Sequence, residues 1–309
     1  MSIDMLNLNQ TDAIKKTVEE KKNSMVETAS QYGLAKVEKT PVQSFILSIF
    51  AGAFIAVAFV FYITVTNGSD VGWGLTRFIG GLAFSMGLML VIGAGAELFT
   101  STVLTTVAWA NKKIGFKAQI QCWARVYVGN MVGALLMVWL IMSAGMFDLN
   151  HGQWGLSALN IAQHKLHHTW GQAFALGILC NMMVCLGIWM TFATKDVLTK
   201  CMLVMLPVAM FVSSGFEHSV ANMFMVPFGI SIAEFAPASF WSAINLDPVQ
   251  FADLTITNFL FNNLIPVTLG NIVGGGVIVG LGHWLSGNSQ AVSKVAEQNP
   301  QAANDKVND

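Results

Sequence analysis

The sequence has few charged residues: Asp, Glu, Lys and Arg make up only 11% of the chain, whereas they make up about a quarter of a soluble domain. Hydrophobic residues account for 54% of the 309 positions. The formal net charge of -1 gives no sign of the basic surface that nucleic-acid binding requires. We therefore expect most of the surface to face lipid.

The four cysteines show no CxxC spacing, and they lie in or beside apolar runs: Cys122, Cys180, Cys185 and Cys201. This pattern favours small buried side chains over a redox or metal site. We also expect no cleaved signal peptide, since residues 1–40 are polar and the first apolar run, from Val42, is long enough to span a bilayer.

Six apolar segments are long enough to cross a membrane, for which about 20 residues are needed. Four are free of charge: Val42–Thr66, Val126–Phe147, Thr169–Thr194 and Leu254–Gly282. The second and fifth are composite. Phe78–Asn111 is interrupted at Glu97, and Cys201–Ala233 is interrupted at Glu217 and His218. In both, a glycine stands two residues before the glutamate.

The interruptions fall at corresponding places in two halves of three segments each, which is typical of broken helices in inverted repeats. A second echo supports the repeat: Gly129–Gly133 and Gly270–Gly274 are both GxxxG with Asn in the second place. We therefore predict an all-α membrane protein with six transmembrane helices in two inverted three-helix repeats, the second and fifth helices being broken.

Lysine and arginine predict the orientation, because cytoplasmic loops are enriched in them. The N-terminal tail alone has six lysines, whereas the opposite side has only Arg77 and Lys165. We expect residues 1–40 to be a cytoplasmic amphipathic tail, 41–286 the membrane domain, and 287–309 a disordered cytoplasmic tail. Apolar residues of the first tail recur at helical spacing: Ile14, Val18, Met25, Ala29 and Tyr32.

Glu97, Glu217 and His218 are the ionisable groups inside the apolar segments, cysteines and tyrosines aside. An ionised group at the bilayer centre costs about 2.5–3.5 kcal/mol on insertion scales. For the glutamates we favour a structural role, accepting hydrogen bonds from backbone N–H groups freed at the breaks. For His218 we favour a functional role. The half-helices after the breaks start near Thr100 and Ser219, and such N-termini favour an anion over a cation.

Several other side chains are candidates for the wall of a pore. Phe84 and Leu88 share a helix face that leads to the first break, Leu98 and Phe99 lie at it, and Phe211 lies two turns before His218. Asn181 and Asn271 are polar where lipid contact is costly, so both should face inward. Contact with lipid or a neighbouring helix remains the alternative for the apolar residues.

The run from His164 to His168 stands before the fourth span. Two histidines four residues apart could bind a metal on a helix face, but no carboxylate or cysteine lies nearby in the sequence. We favour a solvated vestibule in which Lys165 concentrates anions, with no metal and no other cofactor.

The runs Ala96–Ser101 and Gly215–Met223 resemble the formate/nitrite transporter family over roughly residues 40–285. His164–His168, Pro207–His218 and Asn263–Thr268 resemble the formate channels of that family more than its nitrite or hydrosulfide members. The resemblance implies an aquaporin-like fold without the water-channel NPA motif, and a homopentamer with one pore per protomer in the bacterial inner membrane. It also implies that the N-terminal tail meets pyruvate formate-lyase.

Carried over by position, the resemblance makes His218 the central histidine, Thr100 the threonine that faces it, and Glu217 the structural acid. The implied pore contacts are Asn181, Asn271 and Lys165. The implied apolar constrictions are Phe84, Leu88, Leu98, Phe99, Val184 and Phe211.

The expected function is pH-dependent, bidirectional passage of formate, with a proton on import, and no enzymatic reaction. Nitrite or hydrosulfide passage is the alternative within the family. Two alternatives from other classes stay open: a membrane enzyme that uses His218 or the outer histidines, and a membrane anchor subunit that ligates haem through His218 and His283.

Overall fold

The structure is a computed structural model, and it describes residues 25–287. Every regular element in that part of the chain is helical. The α-helices before the last span are α1 (25–38), α2 (Pro41–Thr66), α3 (Trp73–Gly93), α4 (Phe99–Thr102), α5 (Thr105–Ala110), α6 (Phe116–Ser143), α7 (Gln153–Leu166), α8 (Trp170–Thr191), α9 (Val197–Ser213), α10 (Ser219–Phe235) and α11 (Ala238–Ile244). A short 3-10 helix, Met146–Asp148, lies between α6 and α7, and another, Pro248–Phe251, lies between α11 and the last span.

The last span, α12, is a continuous helix over residues 256–287 in which the winding changes along its length. Ile256–Asn258 and Ile265–Asn271 are α-helical, and Phe259–Leu264 and Ile272–Leu281 are π-helical. Such π-helical turns occur often at functional sites.

Five helical stretches of the described chain are long and apolar enough to cross a membrane: Pro41–Thr66, Trp73–Gly93, Phe116–Ser143, Trp170–Thr191 and Pro248–Gly287. The fifth predicted segment consists of two shorter helices, α9 with 17 residues and α10 with 17. A bend of 105° separates α10 from α11. The protein is thus an all-helical, multi-pass membrane protein.

The second and fifth segments are both broken where the sequence predicts a break. The helices stop at Gly93 and Ser213 and resume at Phe99 and Ser219. Gly95 has φ +65° and Gly215 has φ +75°, a left-handed conformation that glycine adopts without steric cost. The two turns therefore have the same cause, and the interpretation as repeats is confirmed at the level of the backbone.

The two GxxxG motifs let helix backbones touch. A Cβ atom on Gly133 would lie 2.0 Å from the Ile49 carbonyl oxygen, and one on Gly274 would lie 2.2 Å from the Ile178 oxygen. The first contact joins α6 to α2, and the second joins α12 to α8. Corresponding helices of the two halves thus pack closely through the same GxxxG motif.

Helix α1 packs against the rest of the protein through the predicted apolar stripe. Ala29 is fully buried, and the Tyr32 ring lies 5.3 Å from that of Phe192. Ile14 and Val18 lie outside the described residues, as do the first 24 residues and the tail after residue 287. Three of the four cysteines, Cys122, Cys180 and Cys185, are buried as the sequence predicts, whereas Cys201 is only half-buried.

Candidate functional site

Two asparagines, Asn130 and Asn271, hold the breaks by one shared pattern. Asn130 accepts from the Phe99 N–H (2.8 Å) and donates to the carbonyls of Glu97 (2.9 Å) and Ser48 (2.8 Å). Both asparagine side chains are completely buried. Because a buried backbone group without a partner costs about 1–3 kcal/mol, such an amide stabilises the interruption.

Asn271 does the same at the second break. It accepts from the Ser219 N–H (2.9 Å) and donates to the carbonyls of Glu217 (3.0 Å) and Gly177 (2.8 Å). The interpretation that the glutamates accept these backbone hydrogen bonds is therefore wrong. An amide has both donors and acceptors, so it can satisfy N–H and C=O groups at once, whereas a carboxylate can only accept.

The glutamate side chains form buried ion pairs instead. Glu97 accepts from Lys36 (3.1 Å) and Lys39, both near the end of α1. Glu217 accepts from Lys165 of α7 (2.9 Å), and its second oxygen accepts from Asn222 (2.6 Å) and Asn263 (3.1 Å). Each acid is thus neutralised by cations that arrive from outside its own broken segment.

Lys165 is not a solvated vestibule residue. It is only 9% exposed, its ammonium is paired with Glu217, and the Phe59 ring lies 5.9 Å from it. Its charge is therefore largely offset. The sequence could not reveal this pairing because the two residues are 52 positions apart.

His218 occupies the position after Glu217, and it is the N-cap of α10. Its Nδ1 accepts from the Ala221 backbone N–H (3.1 Å), and its Nε2 lies 3.0 Å from the Thr100 hydroxyl. Since Nδ1 accepts, a neutral ring holds its proton on Nε2 and donates it to Thr100. The predicted pair of Thr100 and His218 is thus brought together across the two breaks.

Next to His218 lies a very small void of about 10 Å³. Since a water needs about 10–15 Å³ on this measure, the void holds one water at most. We call its wall the central constriction: Ile55, Phe84, Leu88, Leu98, Val184, Val208, Phe211 and His218. Five of the six predicted constriction residues meet here. Ile55 and Val208 carry no sequence signal that separates them from other apolar residues.

Phe99 and the two predicted pore asparagines lie elsewhere. Phe99 packs edge-on against Tyr127, at 4.8 Å between ring centroids. Asn181 donates to the backbone carbonyls of Thr100 (3.0 Å) and Asn271 (2.7 Å). None of Phe99, Asn181 and Asn271 is in the wall of the constriction.

A cavity of about 270 Å³ opens on one side of the constriction, and Phe84, Phe211 and His218 line both. We call it the α7 cavity, because α7 contributes four residues to its wall. Its remaining polar or charged lining comprises Tyr62, Arg77, Asn160, His164, Lys165 and Glu217.

A cavity of about 690 Å³ lies beyond the other side. Leu88 and Val184 line the constriction, and one turn further along the same helices Val91 and Ile188 line this second cavity. We call it the α1 cavity, because α1 forms part of its wall. Its charged lining residues are Lys36, Lys39, Glu97, Lys195 and Lys200.

The histidines of the His164–His168 run are placed differently from the sequence interpretation. The sequence shows no carboxylate near them, but His167 Nε2 lies 2.7 Å from Asp253 and His168 Nε2 lies 3.8 Å from Glu217. The rings of His164 and His168 are 5.0 Å apart. Within residues 25–287, no group of three or more His, Cys, Asp or Glu side chains is arranged to hold a metal ion.

Sequence reasoning missed the residues that support this site. Lys36 and Lys39 are counted there only as tail charges, yet both neutralise Glu97. Asn222 and Asn263 are quoted within two motifs without a role, yet both hold Glu217. The one sequence signal for a role of these asparagines is that each is a polar residue inside an apolar run.

Comparison with known proteins identifies the family of the chain. The sequence profile described as formate/nitrite transporter matches residues 23–285. The chain belongs to the formate/nitrite transporter family. It is 49% identical over 263 residues to the formate channel FocA of Escherichia coli K12, covering 85% of this chain and 92% of the relative.

Other members of the family are also similar. The formate channel FocA of Haemophilus influenzae is 50% identical over 247 residues, covering 80% of this chain and 87% of the relative. A solved pentameric formate channel with formate bound superposes with a TM-score of 0.76 at 54% identity, covering 79% and 96% of the two chains. A second solved channel of the family gives a TM-score of 0.71 at 25% identity, covering 85% and 98%.

Proposed function

We propose that this protein conducts formate in both directions across the bacterial inner membrane, and that it couples a proton to import. The observation that supports this best is the Thr100–His218 pair at a closed apolar constriction, in a chain about half identical to formate channels. The protein acts as a homopentamer, which the solved pentameric relative supports, with one passage per protomer, and it catalyses no chemical conversion.

The lysine distribution supports an orientation with both termini in the cytoplasm, which places the α1 cavity inside and the α7 cavity outside. The N-terminal tail then serves as a docking segment for pyruvate formate-lyase, as the family resemblance implies. Residues 1–40 form that tail, 41–286 the channel domain, and 287–309 a second cytoplasmic tail.

Passage through the apolar constriction is the step at which protonation of formate lowers the energetic cost. An ionised carboxylate in a low-dielectric medium costs tens of kcal/mol by the idealised Born estimate. The void beside His218 holds one water at most, so Phe84, Leu88, Leu98, Val184 and Phe211 must move apart to pass three heavy atoms. Formic acid, which is neutral, loses far less hydration there than formate does.

His218 supplies the proton by a balanced exchange. Acidification protonates Nδ1, which releases the Ala221 N–H because two donors then face each other. Nε2 gives its proton to formate, which becomes formic acid, and the neutral ring keeps its proton on Nδ1. Thr100 can accept from Nε2–H before the transfer and donate to bare Nε2 after it. Lys165 and Glu217 are the charged residues nearest along the α7 cavity, and their charges offset each other.

Formate uptake against pH, in liposomes that hold the wild type or His218→Asn, tests this proposal. Asparagine can still cap α10 but cannot titrate. We expect wild-type uptake to rise as the outside is acidified, approaching about tenfold per pH unit where protonation is limiting. His218→Phe should abolish this import. The same pH dependence in wild type and His218→Asn, after subtraction of bilayer leak, would rule out His218 as the donor.

Two alternatives predict different measurements. Nitrite or hydrosulfide as the substrate would show as uptake that exceeds that of formate at equal concentration. For a haem-binding anchor, the purified protein would have a visible absorption band. The cavities that contain His218 do not include His283, whose ring instead lies against Trp189, with centroids 4.4 Å apart and planes tilted by 35°.

A further inference from the structure

Arg77 is a charged residue of the α7 cavity to which the proposed function assigns no role. It is one of two arginines in the chain, and no acidic side chain forms an ion pair with it among residues 25–287. The other charges of this cavity, Lys165 and Glu217, are paired with each other. The net positive charge of the α7 cavity is therefore that of Arg77.

The guanidinium is fixed in place from three sides. Its Nε donates to the Ser213 carbonyl (2.9 Å) and its Nη2 to the Val212 carbonyl (3.4 Å), at the end of α9. The Trp73 ring lies 5.8 Å from it. At Gly215, a Cβ would come within 3.0 Å of Nη2. The two hydrogen bonds therefore restrain the guanidinium before any ligand arrives.

Fixation leaves part of the guanidinium free. A guanidinium has five N–H donors, and two of them reach the carbonyls of Val212 and Ser213. The other three have no protein acceptor within the described chain. A role in capping the C-terminus of α9 accounts for the two N–H groups that bind these carbonyls, and it does not account for the other three. A planar fork of N–H groups matches the two oxygens of a carboxylate, which an ammonium cannot do.

We propose that Arg77 forms a carboxylate-docking subsite in the α7 cavity, where formate binds before it reaches His218. This inference rests on the proposed function for its ligand. It replaces Lys165 with Arg77 as the source of anion attraction in this cavity. A carboxylate at Arg77 gains a charge-assisted pair there without disturbing the ion pair of Lys165 and Glu217.

Chemical modification tests the subsite without any flux. The full-length protein in liposomes is treated with phenylglyoxal, which is selective for arginine, and labelling is mapped by mass spectrometry. Formate should slow labelling of Arg77 at least about threefold relative to chloride at equal ionic strength. Arg125, the other arginine, is the internal control and should label equally in both. Equal labelling of Arg77 in formate and chloride would overturn the subsite.

Transport kinetics test its use. At about 10 mM salt, where the screening length is about 30 Å, Arg77→Gln should raise the half-saturating formate concentration roughly three- to tenfold and leave the maximal rate unchanged. The difference should shrink below about twofold at 0.5 M salt. The half-saturating formate concentration of Arg77→Lys should lie between those of the wild type and Arg77→Gln. Lys117→Gln, at the exposed start of α6, removes the same charge far from the cavity and should behave as wild type.

The outcomes separate the two proposals. A fall in maximal rate that is equal at all salt concentrations, with a lower melting temperature, would show that Arg77 only caps α9 and would overturn the inference. If the wild type showed no formate flux but formate still protected Arg77 from phenylglyoxal, the subsite would be supported and the proposed function would be refuted.

Discussion

The two helix breaks share a backbone scaffold but differ in the side chain at its centre. Both have a left-handed glycine, a glutamate two residues later, and an asparagine that satisfies three backbone groups. The residue directly after the glutamate is Leu98 in the first break and His218 in the second. A symmetric frame thus presents one apolar and one titratable group to the same constriction. The shared scaffold has a structural role, whereas the residue that differs, His218, is the one that can exchange a proton.

The breaks also differ in the number of their counter-charges. Two lysines near the end of α1 share Glu97, whereas Lys165 of α7 is the lysine paired with Glu217. Helix α1 precedes the first span and α7 precedes the fourth, so each break depends on a helix that stands before the membrane helices of its half. The breaks differ in the number of cations, two lysines at the first and one at the second.

The largest effect should follow from removal of the scaffold amides. Asn130→Leu and Asn271→Leu each leave three backbone groups without a partner, at about 1–3 kcal/mol per group. We expect both variants to lose folded protein in size-exclusion chromatography and thermal melting, to a similar extent. Asn262→Leu, at an exposed position in α12, is the control. If one of the two buried variants folded normally, the scaffolds would not be equivalent.

The counter-charges should give the next largest effect. Lys165→Met leaves Glu217 buried without its cation, which costs about 3–5 kcal/mol for a broken buried pair. Lys39→Met should cost much less, because Lys36 still pairs with Glu97. Thermal melting of the purified protein measures both.

A double variant, Lys165→Met with Glu217→Gln, should recover most of the loss, because no charge is then left unpaired. Glu217→Gln alone should be unstable, since it leaves Lys165 buried and charged. If Glu217→Gln melted like the wild type, the ion pair would contribute nothing to folding.

Exchange of the central side chains should change flux more than stability. In a double variant, Leu98→His with His218→Leu, a histidine stands at the first break, and the leucine at the second can neither cap α10 nor hydrogen-bond to Thr100. We expect acid-stimulated formate uptake to fall at least about tenfold, or about 1.4 kcal/mol in barrier. The single His218→Leu variant is the matched control. Uptake equal to wild type in the double variant would mean that either break can hold the titratable group.

The smallest effect should come from the tie between α1 and the loop before α6. The hydrogen bond from Lys113, with that from Gln31, lowers the pKa of the Glu27 carboxyl below its ordinary value of 4.5. A carboxyl with a lowered pKa stabilises the fold above its ordinary pKa, and this contribution is lost as pH falls through the lowered value.

Lys113→Gln should therefore weaken α1 by less than about 1 kcal/mol, as for exposed ion pairs. Hydrogen exchange of residues 25–38 at neutral pH should be slightly faster in the variant, with no difference near pH 3. An unchanged exchange rate at pH 7 would show that this pair does not hold α1. The second break should be unaffected in either case.

The positions of both breaks could be predicted from sequence, because an intramembrane charge after a glycine has few structural explanations. The facing pair of Thr100 and His218 could be assigned by family resemblance, which places both at breaks. The partners of Glu97 and Glu217 could not, since they come from helices 52 to 61 residues away. Hydropathy records that a charge is present, and it does not record which lysine neutralises it.

The sequence by itself determined the membrane class, the segment order and the two interruptions, because these depend on local hydropathy and on glycine conformation. The tertiary structure alone decided that asparagines hold the breaks, that Lys165 is neutralised and that Arg77 is the cation of its cavity without an ion-pair partner in residues 25–287. Hydrogen bonds and ion pairs require atoms within about 3 Å, and only packing brings residues so distant in the chain to that separation.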